Sequence, residues 1–326
     1  IDGGSLKFDY FSPDEKNRLS VFASAANTDR DSYYGPGNDP LKAYGKTTDL
    51  TAMGGAQYVH TFDKCFFMPS DLTAGLEYNR DRLKDNMWGY NRHTDQTVNI
   101  YSAFLQNEWK NDRWGILIGG RLDKHNMVDN VIFSPRANLR FNPTQNINLR
   151  LSYSSGFRAP QAFDEDMHIE NVGGTVAMIE RAKDLKEEKS QSFSVSADMY
   201  HRFGAFQTNL LIEGFYTRLT DVFVLGKPYD RGDGILVKTR SNGPGAKVMG
   251  LTLEGKVAYL SILQIQAGLT LQRSRYDEPH KWHDDAPAEK KIFRTPDTYG
   301  YFTATCTPIK PLSIALSGTY TGGMLV

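Results

Sequence analysis

"LRLSYSSGFRAPQAFDEDMHI", residues 149–169, changes character halfway. Leu149, Leu151 and Tyr153 alternate with Arg150, Ser152 and Ser154, which puts an apolar set and a polar set on opposite faces of an extended chain. The alternation stops at Gly156, and Pro160 and the acids Asp164, Glu165 and Asp166 follow. A strand with one greasy and one wet face runs out into a long polar loop.

The same period recurs outward in both directions. In "SQSFSVSADMYHRF" (190–203), Phe193, Val195, Ala197 and Met199 oppose Ser192, Ser194, Ser196 and Asp198. "GLTLEGKVAYL" (250–260) and "LSIALSGTY" (312–320) alternate in the same way. Such runs read as antiparallel strands. About fourteen are predicted, near 5–11, 18–26, 50–62, 71–82, 96–110, 113–124, 132–141, 147–157, 190–203, 205–219, 246–259, 263–276, 297–306 and 311–321. Many exceed the ~5–6 residues usual in soluble sheets. A helix-like period near 176–188 ("VAMIERAKDLKEE") is so charged that it is assigned to a loop.

Short connections ("SPDEKN", "DKCFFMPS", "ND", "NPTQN", Gly204, "SIL", "TPIKP") alternate with long ones at 27–49, 83–95, 125–131, 158–189, 220–245 and 277–296. In an up-and-down meander every second connection lies at the same end. One end therefore carries tight turns and the other large polar loops, as in transmembrane β-barrels of the outer membrane. Propellers would need a repeat near 40–50 residues, and none recurs. A closed barrel meets the demand that no backbone group be left unpaired in lipid. Tyr58, Phe62, Trp109, Trp114, Tyr200 and Tyr216 lie near strand ends, where aromatic girdles are expected.

Composition narrows the function classes. Lys plus Arg equals Asp plus Glu at 38 each, so no electrostatic argument favours a nucleic-acid partner. No run approaches 18 apolar residues, which excludes a transmembrane helix. The chain opens on Ile1 with neither an initiator Met nor a signal peptide, which reads as a processed or cut start. Cys65 and Cys306 lie near short turns at one end, but ~ten strands apart at ~4.8 Å each. A disulfide needs Cα atoms within ~7 Å, so both are expected to be free. No phosphate-binding loop and no GxSxG elbow is present, so neither an enzyme nor a cofactor is expected.

"FSPRANLRFNPTQNINLRLSYSSGFRAPQAFDED" followed by "DLKEEKSQSFSVSADMY" resembles the barrel of TonB-dependent outer-membrane receptors. In that family a strand ends in a phrase like FRAP, and a phrase like NPxLKPExS opens the next strand. Phe157-Arg158-Ala159-Pro160 matches the first. Asp184-Leu185-Lys186-Glu187-Glu188-Lys189-Ser190 matches the second loosely, with Glu187 in place of the family's Pro and Ala182-Lys183 in place of its Asn-Pro. "GFYTRLTDVF", "NGPGAKVMGLTLEG" and "FRTPDTYGYFTATCTPIKPLSIALSGTYTG" extend the resemblance over most of the chain, with wording closest to Bacteroides-type receptors of the metal-chelate size class. The resemblance implies active import of a scarce metal chelate (siderophore-iron, cobalamin or haem) bound at extracellular loops. It implies as partners the chelate, a TonB complex acting through a plug, and outer-membrane lipid and lipopolysaccharide, and it leaves a surface lipoprotein open. The family barrel has about 22 strands behind an N-terminal plug. All of residues 1–326 is therefore expected to be part of the barrel domain, with the plug and last strands missing.

Candidate ligand contacts lie in the long connections. They are Tyr33 and Tyr34 in "NTDRDSYYGPGNDP", and Tyr90, Arg92 and His93 in "LKDNMWGYNRHTD", beside Met87 and Trp88. Met167 and His168 lie between the two family phrases, where haem-importing relatives place a candidate axial His. Trp282 and His283 stand in "KWHDDAP" with Asp284, Asp285 and nearby His280, but no second cluster completes a metal site. The acids at 164–166 and at Asp29 and Asp31 suit a hard cation, but solvated loops, or divalent ions associated with lipopolysaccharide, explain them better. Two other classes stay open on the residues alone: a passive porin or adhesin barrel, and a soluble carbohydrate-binding β protein.

Overall fold

The computed structural model describes residues 1–33, 44–88, 92–162, 170–172, 175–232, 236–281 and 287–325. The strands are β1 (Asp2–Phe11), β2 (Asn17–Tyr33), β3 (Tyr44–Cys65), β4 (Met68–Met87), β5 (Arg92–Lys110), β6 (Trp114–His125), β7 (Ile132–Thr144), β8 (Ile147–Arg158), β9 (Glu170–Val172) and β10 (Thr175–Arg181). They continue as β11 (Glu188–Phe203), β12 (Phe206–Thr220), β13 (Phe223–Leu225), β14 (Tyr229–Asp230), β15 (Leu236–Asn242), β16 (Ala246–Tyr259), β17 (Leu263–His280), β18 (Glu289–Lys291), β19 (Thr298–Ile309) and β20 (Leu312–Thr321). One sheet runs β1-β2-β3-β4-β5-β6-β7-β8-β11-β12-β16-β17-β19-β20, with β18 added to β17. These fourteen strands are the ones the alternation predicts, each paired antiparallel with its neighbours.

Register shows why the two faces differ. One cross-strand row reads Trp109–Ile116–Leu139–Leu151–Val195–Gly214–Leu251–Leu271, from β5 to β17. The neighbouring row on the other face reads Arg140–Arg150–Ser196–Glu213–Thr252–Thr270. A slip of one residue in any strand would exchange the two faces, so the side-chain pattern pins the register.

Burial is inverted relative to a soluble protein. Leu76 is 65% exposed, Phe133 60% and Val195 58%, whereas Ser102, Asp123 and Ser274 are 5%, 3% and 3%. Side chains on the concave face of a curved sheet crowd together and those on the convex face splay apart, so the polar face is the concave one. It carries a network in which Arg121 meets Glu77 at 2.6 Å and Asp123 at 2.8 Å, and Ser102 donates to Asp123 at 2.6 Å. A continuous apolar convex face needs an apolar solvent, and lipid supplies it.

Aromatic pairs sit on the convex face at two heights. Trp114–Phe141 (4.2 Å) and Phe206–Tyr259 (4.7 Å) lie toward the tight turns, and Tyr78–Tyr101 (4.9 Å) and Tyr153–Phe193 (4.7 Å) toward the long connections. Of the expected girdle residues, Tyr58, Phe62, Trp109, Trp114 and Tyr216 share this face. Tyr200 does not: it falls on the register of Ser196 and Asp198 and its hydroxyl donates to Asp198 at 2.9 Å, so it points into the lumen.

The tight turns include Gly204-Ala205 between β11 and β12, where Gly204 adopts φ 58°, a value glycine tolerates without steric cost. Cys65 and Cys306 are both free.

The opposite end departs from expectation in two ways. β2 to β5 extend through much of the expected loops, so that Arg92 and His93 open a strand instead of sitting in a loop. On β4 the convex face is apolar or aromatic from Leu72 to Tyr78, then reads Arg80, Arg82 and Lys84. The span Met68–Tyr78 matches the ~9–11 residues that cross a bilayer. Beyond it the convex face is charged and the concave face mixes Asn79, Asp81 and Asp85 with buried Leu83 and Met87, so the apolar-out, polar-in alternation is lost while backbone pairing continues. Secondly, the two longest connections contribute β9, β10, β13, β14 and β15 to a second sheet of order β13-β15-β10-β9, with β14 on β15. β10 and β15 are parallel. The stretch 176–188, expected to be a loop, therefore contains a strand, paired to residues more than fifty positions away that local pattern cannot reveal.

Candidate functional site

The small sheet is tied to the barrel by the segment that opened the sequence reading. After β8 the chain turns over the rim, with Ala159 and Pro160 buried. Gln96 of β5 clamps Ala162, accepting from its N–H at 2.8 Å. Arg181, at the end of β10, donates to the Pro160 carbonyl at 2.8 Å. Arg158 lies over the Phe223 ring at 5.5 Å, a cation–π contact to β13. The phrase Phe157-Arg158-Ala159-Pro160 thus anchors the loop sheet to the wall.

His125, beyond the apolar band at the end of β6, is fully buried. Its Nδ1 accepts from the Met127 N–H at 3.0 Å, so the neutral ring carries its proton on Nε2, which faces Gln161 Oε1 at 3.3 Å. Burial holds this imidazole below its usual pKa, which keeps it in that tautomer.

The loop segment from Asp184 is fixed by one side chain. Asn242 of β15 accepts from the Lys186 N–H at 2.8 Å, donates back to the Lys186 carbonyl at 3.1 Å, and donates to the Asp221 carbonyl at 2.8 Å. Both long connections are thereby joined to each other.

Between the wall and this sheet lies a cavity of about 630 Å³, within the usual range for small-molecule sites. The top of β5 supplies Arg92, His93 and Thr94, the β6–β7 turn supplies Met127, and the rim segment Pro160 and Ala162. The small sheet and its flanks add Met178, Ile179, Glu180, Arg181, Lys183, Leu185 and Arg231. Arg92 is held by Asp85, with Nη2 at 2.8 Å and Nε at 3.0 Å from Oδ2, and Thr47 donates to the other carboxylate oxygen at 2.7 Å. The Asp85 side chain is 2% exposed and Arg92 10%, so the pair is desolvated. Among the described lining residues four cationic side chains face the cavity with one carboxylate, Glu180, which stands 3.9 Å from Arg231. Met178 and Met127 add polarizable apolar surface. Beneath the cavity, on the concave face above the apolar band, Asp81 of β4 faces Asp49 of β3. Burial first, and then the Asp49 carboxylate, push Asp81 up to about 6.

Of the sequence candidates, Arg92 and His93 line this cavity, and His93 bonds Asn86 at 2.9 Å. Tyr33 ends β2 on the convex register, edge-on to Tyr44 at 5.1 Å, and is not part of the lining. Tyr34, Tyr90, Met167, His168, Trp282 and His283 lie outside the described residues, as do Asp164, Glu165, Asp166, Asp284 and Asp285. His280 ends β17, its imidazole lowered in pKa by burial. Sequence reading missed Met127, Met178, Arg181 and Arg231. The only signal for them was their place in long connections, which dozens of other residues share.

A family model for the TonB-dependent receptor-like β-barrel matches residues 2–323. No curated protein matches the sequence. Among solved structures, the siderophore receptor PirA from Acinetobacter baumannii aligns at TM-score 0.71 with 15% identity, over 97% of this chain and 49% of that one. The FrpB iron transporter from Neisseria meningitidis aligns at 0.70 with 14% identity, over 98% and 50%. The ferric-catecholate import receptor Fiu from K12 E. coli aligns at 0.68 with 12% identity, over 99% and 53%. The chain thus spans about half the length of each. A sheet with a lipid-compatible convex face, two aromatic belts and the matched family model place the chain in the outer membrane of Gram-negative bacteria. The chain belongs to the TonB-dependent receptor family and forms part of its β-barrel.

Proposed function

We propose that this barrel is part of a receptor that captures a negatively charged metal chelate in the cavity between the wall and the loop sheet, for TonB-energised import through a plug. The observation that carries the reading is the charge of the cavity: among the described lining residues Arg92, Arg181, Lys183 and Arg231 face one carboxylate, Glu180, with Asp85 behind the lining paired to Arg92. Arg presents a planar fork suited to carboxylate or catecholate oxygens, and the methionines suit the apolar body of a chelate. The structural neighbours named for siderophores, iron and ferric catecholate support iron chelates over cobalamin, which lacks the anionic charge this cavity would neutralise. Outer-membrane lipid and lipopolysaccharide surround the barrel in this reading.

The test is equilibrium binding to the purified full-length receptor of three probes: an anionic ferric catecholate, haem and cobalamin. The catecholate is expected to bind most tightly, with an affinity that falls as salt rises. Arg181→Glu should weaken it about tenfold or more. Tightest binding of cobalamin, unaffected by that substitution, would refute the reading.

A further inference from the structure

His125 sits where three pieces of chain meet. It ends β6 on the concave face, in register with Ile100 of β5 and two residues beyond Asp123. Beyond it the β6–β7 turn carries Met127 into the cavity lining. Opposite it the rim segment carries Gln161 between Pro160 and Ala162, which line the same cavity. From the convex side Lys124 holds the turn, donating to the carbonyls of Val128 at 3.0 Å and Asp129 at 2.7 Å. From the concave side the imidazole holds it, and the same ring reaches the rim. Nδ1 accepts from the Met127 N–H, and the proton on Nε2 faces Gln161 Oε1.

These two contacts respond differently to acid. The one at Nε2 tolerates a second proton on the ring, because Nε2 is a donor in both states. The one at Nδ1 does not. A proton there sets two N–H donors against each other 3.0 Å apart and leaves the Met127 amide without its acceptor. The ring must then leave its seat, and in leaving it gives up Gln161. The surroundings do little to keep a charged ring in place. Asp123 already accepts from Arg121 at 2.8 Å and Ser102 at 2.6 Å. Asp129 is exposed at the turn, and Asp81, which shares a lumen-side hollow with Gln161, faces Asp49. Lys124 and Arg181 are themselves cationic, and the residues that β5 and the rim turn toward the ring, Ile100 and Gln161, are uncharged. Burial therefore prevails over the pull of Asp123, and the seated ring is held below its usual pKa. The unseated ring takes a proton more readily than the seated one, so its population grows as the pH falls through the ordinary histidine range near ~6.5.

We infer that His125 is an acid-operated latch on the cavity: neutral, it fastens the β6–β7 turn and the rim segment together; protonated, it releases both. Gln96 still holds Ala162 and Arg181 still holds Pro160, so the loop sheet stays attached. What loosens is the side of the cavity that Met127 forms and its tie to the rim. The inference concerns closure of the cavity and does not depend on which ligand fills it.

The test is hydrogen–deuterium exchange of the full-length receptor in detergent micelles. It is read by mass spectrometry near pH 7.5 and near pH 5 and corrected for the intrinsic pH dependence of amide exchange. Protection over residues 125–131 is expected to fall about tenfold or more in acid, with a smaller loss over 159–162, where Gln96 and Arg181 still act. The β5–β6 turn at the other end, where the Asn111 N–H donates to the Trp114 carbonyl at 2.8 Å, should keep its protection. Two substitutions separate the arms of the ring. His125→Asn keeps an acceptor where Nδ1 stood and does not titrate, so the turn should stay protected at both pH values while the rim is loose at both. His125→Gln places an amide where Nε2 stood, so the rim should stay protected and the turn be open at both. Asp81→Asn should leave the acid response in place. Heat-modifiable gel mobility verifies that each variant folds, and the wild-type profile is decisive without them. Equal protection of the turn at the two pH values in the wild type would overturn the inference. So would an acid response that persists in His125→Asn, or one that vanishes in Asp81→Asn.

Discussion

Asp85 is the residue on which the proposed site turns. It holds the Arg92 guanidinium through two contacts and is itself satisfied by Thr47, all with little access to water. Removing one member of a buried ion pair takes the counter-ion from a desolvated charge, at a cost of roughly 3–5 kcal/mol. Asp85→Ala should therefore lower the urea midpoint of the folded receptor and weaken chelate binding, while Asp85→Ala with Arg92→Met should recover much of the stability and none of the binding. Stability left unchanged in the single variant would mean that Arg92 is solvated in the receptor. Asp81 gives a second residue-level handle. Its pKa is raised on folding to about 6 from 3.8, so the folded protein keeps this proton between those values while the unfolded chain loses it. Stability should fall as pH rises through that window. Asp81→Asn should flatten this part of the profile and stabilise the protein above pH 6, as read from thermal midpoints at pH 5 and 7.5. Superimposable profiles for variant and wild type would rule out a shifted Asp81.

At the scale of elements, the division between what was legible in the sequence and what was not follows the lipid boundary. Inside the bilayer each strand must present apolar side chains every second residue, and that constraint wrote Leu149, Leu151 and Tyr153 into the chain in a form readable without a structure. Above it, as at Arg80, Arg82 and Lys84, nothing enforces alternation, so the upper thirds of β2 to β5 read as loops although they pair throughout. Arg92 and His93 were found because they flank a loop rich in aromatic residues. Arg181 and Arg231 were not, because their position depends on the parallel pairing of β10 with β15, a contact between two connections that no local pattern encodes. Tyr200 was misassigned for a different reason. An aromatic residue near a strand end suits a girdle, but parity with Asp198 decides its face.

At the scale of the whole molecule, the large sheet is a curved wall whose two faces serve two solvents. Its convex side presents Leu, Val, Phe and Tyr at exposures that would drive a soluble protein to aggregate, and its concave side buries Ser, Asp, Arg and Glu in hydrogen-bonded networks such as Arg121 with Glu77 and Asp123. The cavity under the loop sheet and the anchoring of residues 157–162 both depend on that assignment of faces. The most direct test is spin-label accessibility along β8 in the full-length receptor, reconstituted in bilayers with Cys65, Cys306 and any further native cysteine replaced by serine. Labels are placed one at a time through Leu149→Cys, Arg150→Cys, Leu151→Cys, Ser152→Cys and Tyr153→Cys. Collision with oxygen, which partitions into lipid, should be high at 149, 151 and 153 and low at 150 and 152, a sawtooth of period two. A sawtooth of opposite phase, or no alternation along the strand, would contradict the account.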